Sequence, residues 1–293
     1  MWIAEKPNTT EVVSQLKTAM TYKKGKLKYL LTDDDIQVVQ EFYKDYDYFN
    51  GQWHPQLRCG HLKTGFLDAM KNTYKEVQNG GRLASLRGSL LLGAEFCPFC
   101  GVGDPKTLDH YLPISVFQIF SIYPNNLVPI CNTCNNIKRA SGENVDERFV
   151  HFYFDLLPDN FHFFDVTIKL IGSSLQFEFF IRNGKELDND IYKKLVFQID
   201  KLELNSRLRK YITKYLNALG PSIQTVYESS GKVGVEKLLT STANNIKKHD
   251  GINHWTYAVI FGLSKHQQFC DGGFYDPLAL DRLVQITQPD KLV

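Results

Sequence analysis

Residues 96–140 read FCPFCGVGDPKTLDHYLPISVFQIFSIYPNNLVPICNTCNNIKRA. Cys97 and Cys100 form one Cys-x-x-Cys pair, and Cys131 and Cys134 form a second. Each pair suits a tight turn around a metal, and together they supply the four thiolates of a closed tetrahedral zinc site. Between the pairs lie Leu108-Asp109-His110-Tyr111-Leu112-Pro113 and Asn126-Leu127-Val128-Pro129-Ile130. Asn135, Lys138 and Arg139 follow the second pair. The stretch from Thr107 to His110 opens on a β-branched residue and predicts a short strand. A loop over 111–124, a strand over 126–130 and a helix start over 133–140 complete a strand–loop–strand–helix order. Zinc on the four cysteines would clamp that hairpin to the helix. Closed coordination makes such an ion a structural staple and not the catalyst.

The joint pattern of knuckle, Asp-His, Asn-Leu-Val, knuckle and Asn resembles the HNH endonuclease superfamily. The resemblance implies a ββα-metal core that hydrolyses phosphodiester bonds in DNA. His110 suits the general base, because imidazole titrates near neutral pH. Asn126 falls where the family has its central asparagine, which implies that its side-chain oxygen orients the His110 ring. Asp109 and Asn135 are the implied ligands of one catalytic Mg²⁺ or Mn²⁺, through hard oxygen donors. The last family position is commonly His, whereas this chain reads H-N-N. Its Cys-x-x-Cys-Asn ending resembles that of the phage recombination endonuclease VII. Lys138 and Arg139 follow Asn135 by about one helical turn and are expected to meet nucleic-acid phosphates. Arg82 and Arg87 are candidates for the same role, since the guanidinium fork suits phosphate.

Composition sets the frame around this motif. The 293 residues are 43% hydrophobic and 23% charged, as in an ordinary globular protein. Net charge is only +2, so nucleic-acid binding needs a local basic patch. The two remaining cysteines, Cys59 and Cys270, stand alone. That usage fits a reducing compartment with a bound metal and argues against a disulfide framework. No signal peptide and no membrane span are read in the sequence, so the expected location is the cytoplasm. Oligomeric state is not legible.

The fold class expected is α+β, with the HNH core at 93–145. A helical region precedes it at 1–92, and a β-hairpin with further helices follows at 146–293. Apolar spacing predicts helices near 8–20, from Thr32 onward behind a capping box with Asp35, over 62–77 and over 82–91. Lys17, Lys23, Lys24, Lys26 and Lys28 form a basic stretch read as a solvated face. His54, Cys59 and His61 lie in a loop with spacing too irregular for a metal site. Residues 141–146 read as a linker, and the aromatic run from Phe152 to Phe164 reads as core. Alternation over 166–170 and 175–181 predicts a hairpin about Gly172-Ser173-Ser174. Helices are expected over 187–202, from Asn205 or Ser206 to a stop at Gly220-Pro221, over 235–248 and over 253–265. The tail from Asp271 reads as irregular. The downstream helices resemble, more loosely, extensions of HNH proteins in prokaryotic antiphage defence loci, including Septu-type systems. That likeness implies an ATPase partner protein. A zinc-stapled nucleic-acid-binding or adaptor module without turnover is the alternative reading, and an RNA-directed nuclease is another.

Overall fold

Thr32 starts the first long helix as the sequence expects. Its hydroxyl accepts from Asp35 N, while Asp35 accepts from Thr32 N in return. In the computed structural model, residues 4–22, 24–139 and 147–280 are described. Lys23, the expected linker at 141–146 and the end of the tail lie outside them. The helices before the motif are α1 (Val12–Ala19), α2 (Asp33–Tyr48), α3 (Thr64–Thr73) and α4 (Ala84–Leu92). The motif itself forms β1 (Thr107–His110), β2 (Leu127–Ile130) and α5 (Asn132–Lys138). After it come β3 (Phe164–Ile171), β4 (Ser174–Ile181), α6 (Asn189–Lys201), α7 (Leu204–His249) and α8 (Trp255–Lys265). Among the described residues, helices and two antiparallel two-stranded ribbons make a mixed α and β architecture. Among the described residues no helix is long and apolar enough to cross a membrane.

The chain packs as two units. Met1–Phe161 with Asn183–Leu204 form one, and His162–Arg182 with Asn205–Val293 form the other. In the first, the buried stripe of α2 carries Val39, Phe42, Tyr43 and Tyr46. These rings meet the loop between β1 and β2: Tyr43 stacks on Tyr123 at 4.0 Å, and Tyr46 lies 4.9 Å from Phe120. Tyr74, just after α3, donates to Leu108 O of β1 at 2.6 Å. Gln198 of α6 donates to Phe99 O in the first knuckle at 3.1 Å. Phe99 packs edge-on against Phe152, so the aromatic run contributes core here. Helices from both sides of the motif therefore brace it.

In the second unit β3 and β4 pair in register from Phe164 opposite Ile181 to Ile171 opposite Ser174. Two asparagines engage this ribbon. Asn253 Oδ1 accepts from Phe163 N and Phe164 N, and the Asn205 amide bonds both backbone groups of Phe179. Asn205 thus bonds a strand, where the sequence suggests a helix cap. The expected stop at Gly220-Pro221 is also corrected, because α7 continues through Pro221. Proline disfavours helix at the preceding residue by colliding with its Cβ, and Gly220 has none. The break falls at Gly231, whose φ of 60° and ψ of −160° suit glycine alone.

Close backbone approach decides one more position in the first unit. Gly51 has φ 66°, and a Cβ there would overlap the buried His151 ring and lie 2.9 Å from Tyr46 Oη. Gly51→Ala is expected to destabilise the chain by about 2 kcal/mol or more, through overpacking added to a strained φ. Urea denaturation against the wild type measures this; an unchanged midpoint contradicts the packing described.

Candidate functional site

The metal centre begins with two backbone turns. In the first knuckle Cys97 O accepts from Cys100 N and Gly101 N, while Cys97 N donates to Gly103 O at 2.7 Å. In the second, Cys131 caps the start of α5 and its Sγ accepts from Cys134 N. All four cysteines are buried, with their sulfur atoms within 4.8 Å of one another. Cys100 and Cys131 Sγ stand 3.8 Å apart. That matches the ~3.8 Å edge of a tetrahedron built on ~2.3 Å zinc–sulfur bonds. Gly103 leaves the room required, since a Cβ there would sit 2.5 Å from Cys131 Cβ and 2.6 Å from its Sγ. Hydrogen bonds from Cys100, Cys134 and Cys97 hold the Cys131 thiol far below its ordinary range, while burial pushes Cys97 up. Donor type, number and spacing fit zinc. Among the described residues no other cluster of metal-ligating groups forms. His54 stacks on Phe49, and Cys59 Sγ donates toward Val116 O and Gln118.

β1 and β2 pair antiparallel, with Thr107 opposite Ile130 and His110 opposite Leu127. His110 therefore ends its strand, buried, with its ring edge-on to Tyr74 at 4.4 Å. Its Nε2 lies 2.8 Å from Ser121 O. A carbonyl only accepts, so Nε2 carries the proton and Nδ1 keeps its lone pair. Burial lowers the imidazole to about 4, opposed by the Ser121 bond and Asp109.

Asn126 is fully buried, but the ring is not its partner. Its Oδ1 accepts from Leu112 N at 2.7 Å and from Tyr46 at 3.1 Å. Its Nδ2 donates to Leu112 O and Phe120 O. The expectation that Asn126 holds the His110 ring is thus corrected: Ser121 does so, and Asn126 pins the loop that carries Ser121. Tyr46 in turn lies 3.0 Å from His151 Nε2. Tyr46, His151 and the Ser121 carbonyl were missed by sequence reasoning. A backbone group leaves no letter, and Tyr46 reads only as part of an apolar stripe.

Asp109 Oδ2 pairs with Lys138 Nζ at 2.7 Å, and Lys138 also donates to His110 O at 3.0 Å. Lys138 is 1% exposed. Its expected phosphate contact is corrected, because the β1-facing side of α5 is turned inward. Asn135 stands one turn earlier on that side, half-buried. Arg82 and Arg87 are likewise engaged inside the fold. Arg82 bonds Glu76 and Thr21, and the buried Arg87 bonds Asn79 and Lys106 O. Arg139 remains exposed beyond the last turn of α5.

Comparisons with known proteins are sparse. No protein-family model matches the chain, and no solved structure matches it. Over 69 residues it is 44% identical to Protein ea31 of Escherichia phage lambda, a stretch covering 22% of this chain and 23% of that relative. The likeness is therefore local, spanning about a quarter of that relative.

The purified chain is expected to carry about one zinc, because four thiolates close one site. Cys131→Ser and Gly103→Ala should each lower zinc content and reduce stability by more than about 3 kcal/mol. Elemental analysis with chemical denaturation checks both; a well-folded chain without zinc contradicts the assignment.

Acid should weaken the fold through its buried histidines. His110 falls to about 4, and burial with the nearby Lys194 and Lys6 charges holds His151 well below 6.5. Both values lie below those of the unfolded chain, so unfolding takes up protons as pH drops. Stability is complete above about pH 6.5 and declines toward pH 4, by up to about 1.4 kcal/mol per pH unit for each histidine. Denaturation midpoints across pH 7.5 to 5, with zinc content followed in parallel, measure it; a flat profile contradicts neutral buried rings.

Proposed function

We propose that this chain is a metal-dependent HNH endonuclease hydrolysing phosphodiester bonds in DNA. The observation that carries the reading is the state of His110. Its Nε2 is tied to the Ser121 carbonyl, its Nδ1 lone pair is left to take a proton, and burial keeps it neutral. That is the state a general base needs before it acts. The strand–loop–strand–helix order and the four-cysteine cluster support the same reading.

In this scheme His110 Nδ1 accepts a proton from water as the water oxygen attacks the scissile phosphorus. The Ser121 carbonyl keeps the ring in one orientation, on the loop that Asn126 pins. Asp109 and Asn135 offer a carboxylate and an amide oxygen, a donor set that fits Mg²⁺ or Mn²⁺. A divalent ion there would neutralise charge on the phosphate and the leaving oxygen. Arg139, exposed beyond α5, is left as the cation for the backbone. Six cysteines, none of them in a disulfide, suit a reducing cytoplasm. A role in antiphage defence beside an ATPase partner extends the reading.

The Asp109–Lys138 pair favours a second reading, a zinc-stapled nucleic-acid-binding or adaptor module without turnover. Nicking of supercoiled plasmid with Mg²⁺ or Mn²⁺, and its loss in EDTA, separates the two, and RNA substrates run alongside test the DNA assignment. His110→Ala should reduce cleavage by about 10²–10⁴-fold while zinc content and DNA binding persist. Wild-type rates in that variant would refute the base assignment.

A further inference from the structure

Residues 12–32 hold five lysines and no acidic residue. After α1 this stretch folds back on itself. Tyr22 N donates to Lys26 O at 2.7 Å, Lys28 N donates to Met20 O at 2.8 Å, and Thr21 pairs with Leu27 across the turn. A polar clamp fixes the hairpin to the turn that follows α3. There Glu76 accepts from Lys28 and Arg82, and the Arg82 guanidinium also donates to the Thr21 hydroxyl and carbonyl. The bond from Arg82, helped by Lys28, holds the Glu76 carboxyl down at about 2. Two residues before Glu76, Tyr74 lies edge-on to His110 at 4.4 Å. Lys24 and Lys26 take no part in the clamp and stand exposed. With Tyr22, Leu27 and Glu76 they wall a hollow of about 570 Å³.

We infer that the hairpin from Met20 to Tyr29 is a contact surface for the DNA backbone, with Lys24 and Lys26 meeting phosphates at the hollow. The inference rests on the endonuclease reading for the choice of DNA among polyanions. Its first argument is charge. Glu76 is the acidic group in the wall of the hollow, and Arg82 and Lys28 already engage it. Lys24 and Lys26 are therefore left to face an incoming anion. A chain of net charge +2 needs such a local patch to hold a polyanion. The second argument is place. The clamp ties the hairpin to the Tyr74–Glu76 turn, so a strand held on the hairpin lies on the same supporting turn that packs against His110. Contacts to phosphate position a nucleic acid without reading its sequence, which is the part such a hairpin can play. The third is Tyr22, 52% exposed beside the two lysines, whose ring offers a face for a sugar or an unpaired base. Arg82, expected from its sequence position to meet phosphate, instead fixes the element that does.

The test is binding of the zinc-loaded full chain to a fluorescein-labelled DNA duplex, read by anisotropy across NaCl concentrations with no Mg²⁺ or Mn²⁺ added. Each phosphate contact contributes about 0.9 to the slope of log affinity against log salt. The double variant Lys24→Gln with Lys26→Gln is expected to lower that slope by about 2 and to weaken binding at least about tenfold at ~0.1 M salt. Both side chains are exposed, so the variant keeps its fold, and its zinc content and denaturation midpoint should match wild type. Tyr22→Ala should weaken binding with the slope unchanged, because it removes a contact that carries no charge. The control removes two exposed lysines of α6, Lys193→Gln with Lys201→Gln, and should leave the slope near that of wild type. An unchanged slope in the hairpin variant overturns the inference, and so does an equal fall in the α6 control. Capture of the wild type by phosphatidylserine vesicles without binding to the duplex also overturns it. Failure of the endonuclease reading looks different: wild type would not nick plasmid with Mg²⁺ or Mn²⁺, although the hairpin lysines still set the salt slope. Nicking that His110→Ala abolishes, with a slope the hairpin lysines do not move, sinks the inference and spares that reading.

Discussion

Four sulfur atoms within 4.8 Å of one another are the constraint on which the first unit depends. The secondary structure they join is slight. Each strand of the β1–β2 ribbon has four residues, and α5 has seven. A lone two-stranded ribbon is marginal in water, and a helix of two turns has no stability of its own. The four-cysteine cluster fits zinc, and an ion bound there would supply the missing free energy at one point, where the first knuckle meets the start of α5. Once that point is held, β1 must end beside α5, which is why Asp109 and His110 meet Lys138.

A second constraint is polar and buried. His151, Tyr46 and Asn126 have essentially no exposed surface, yet each carries hydrogen-bonding groups. Tyr153 N donates toward His151 Nδ1, which leaves Nε2 as the protonated nitrogen. Nε2 then donates to the Tyr46 oxygen, and the Tyr46 hydroxyl donates to Asn126 Oδ1. Asn126 spends its remaining capacity on Leu112 and Phe120. The chain of bonds therefore has one direction, and it ends on the loop whose Ser121 carbonyl holds His110. A low-dielectric interior makes each unmade bond costly, so such a network favours one loop geometry. Helix α2, remote in sequence from the motif, thereby contributes to the orientation of the His110 ring.

Local features were the most legible in the sequence. The Thr32–Asp35 capping box, the β3–β4 hairpin and the short strands within the motif all depend on local residue patterns. The helix through Pro221 was misread, because a missing Cβ at Gly220 outweighed a stop signal. The cations were misread for a different reason. Arg82, Arg87 and Lys138 have the right chemistry for phosphate, but Glu76, Lys106 O and Asp109 reach them first. Sequence spacing puts a side chain on a helix face and does not say what that face meets.

By itself the sequence determined the four-cysteine cluster that fits zinc, the order of strand, loop, strand and helix, and the adjacency of Asp109 and His110. Residue type and short spacing suffice for these, since thiolate chemistry and two-residue knuckles need no distant partner. Tertiary structure alone decided which nitrogen of His110 is free, that Asn126 serves the loop and not the ring, and that Lys138 is an internal counter-ion. Each of those depends on a group more than ten residues away or on a backbone carbonyl, and a hydrogen bond forms only where packing brings donor and acceptor to about 3 Å.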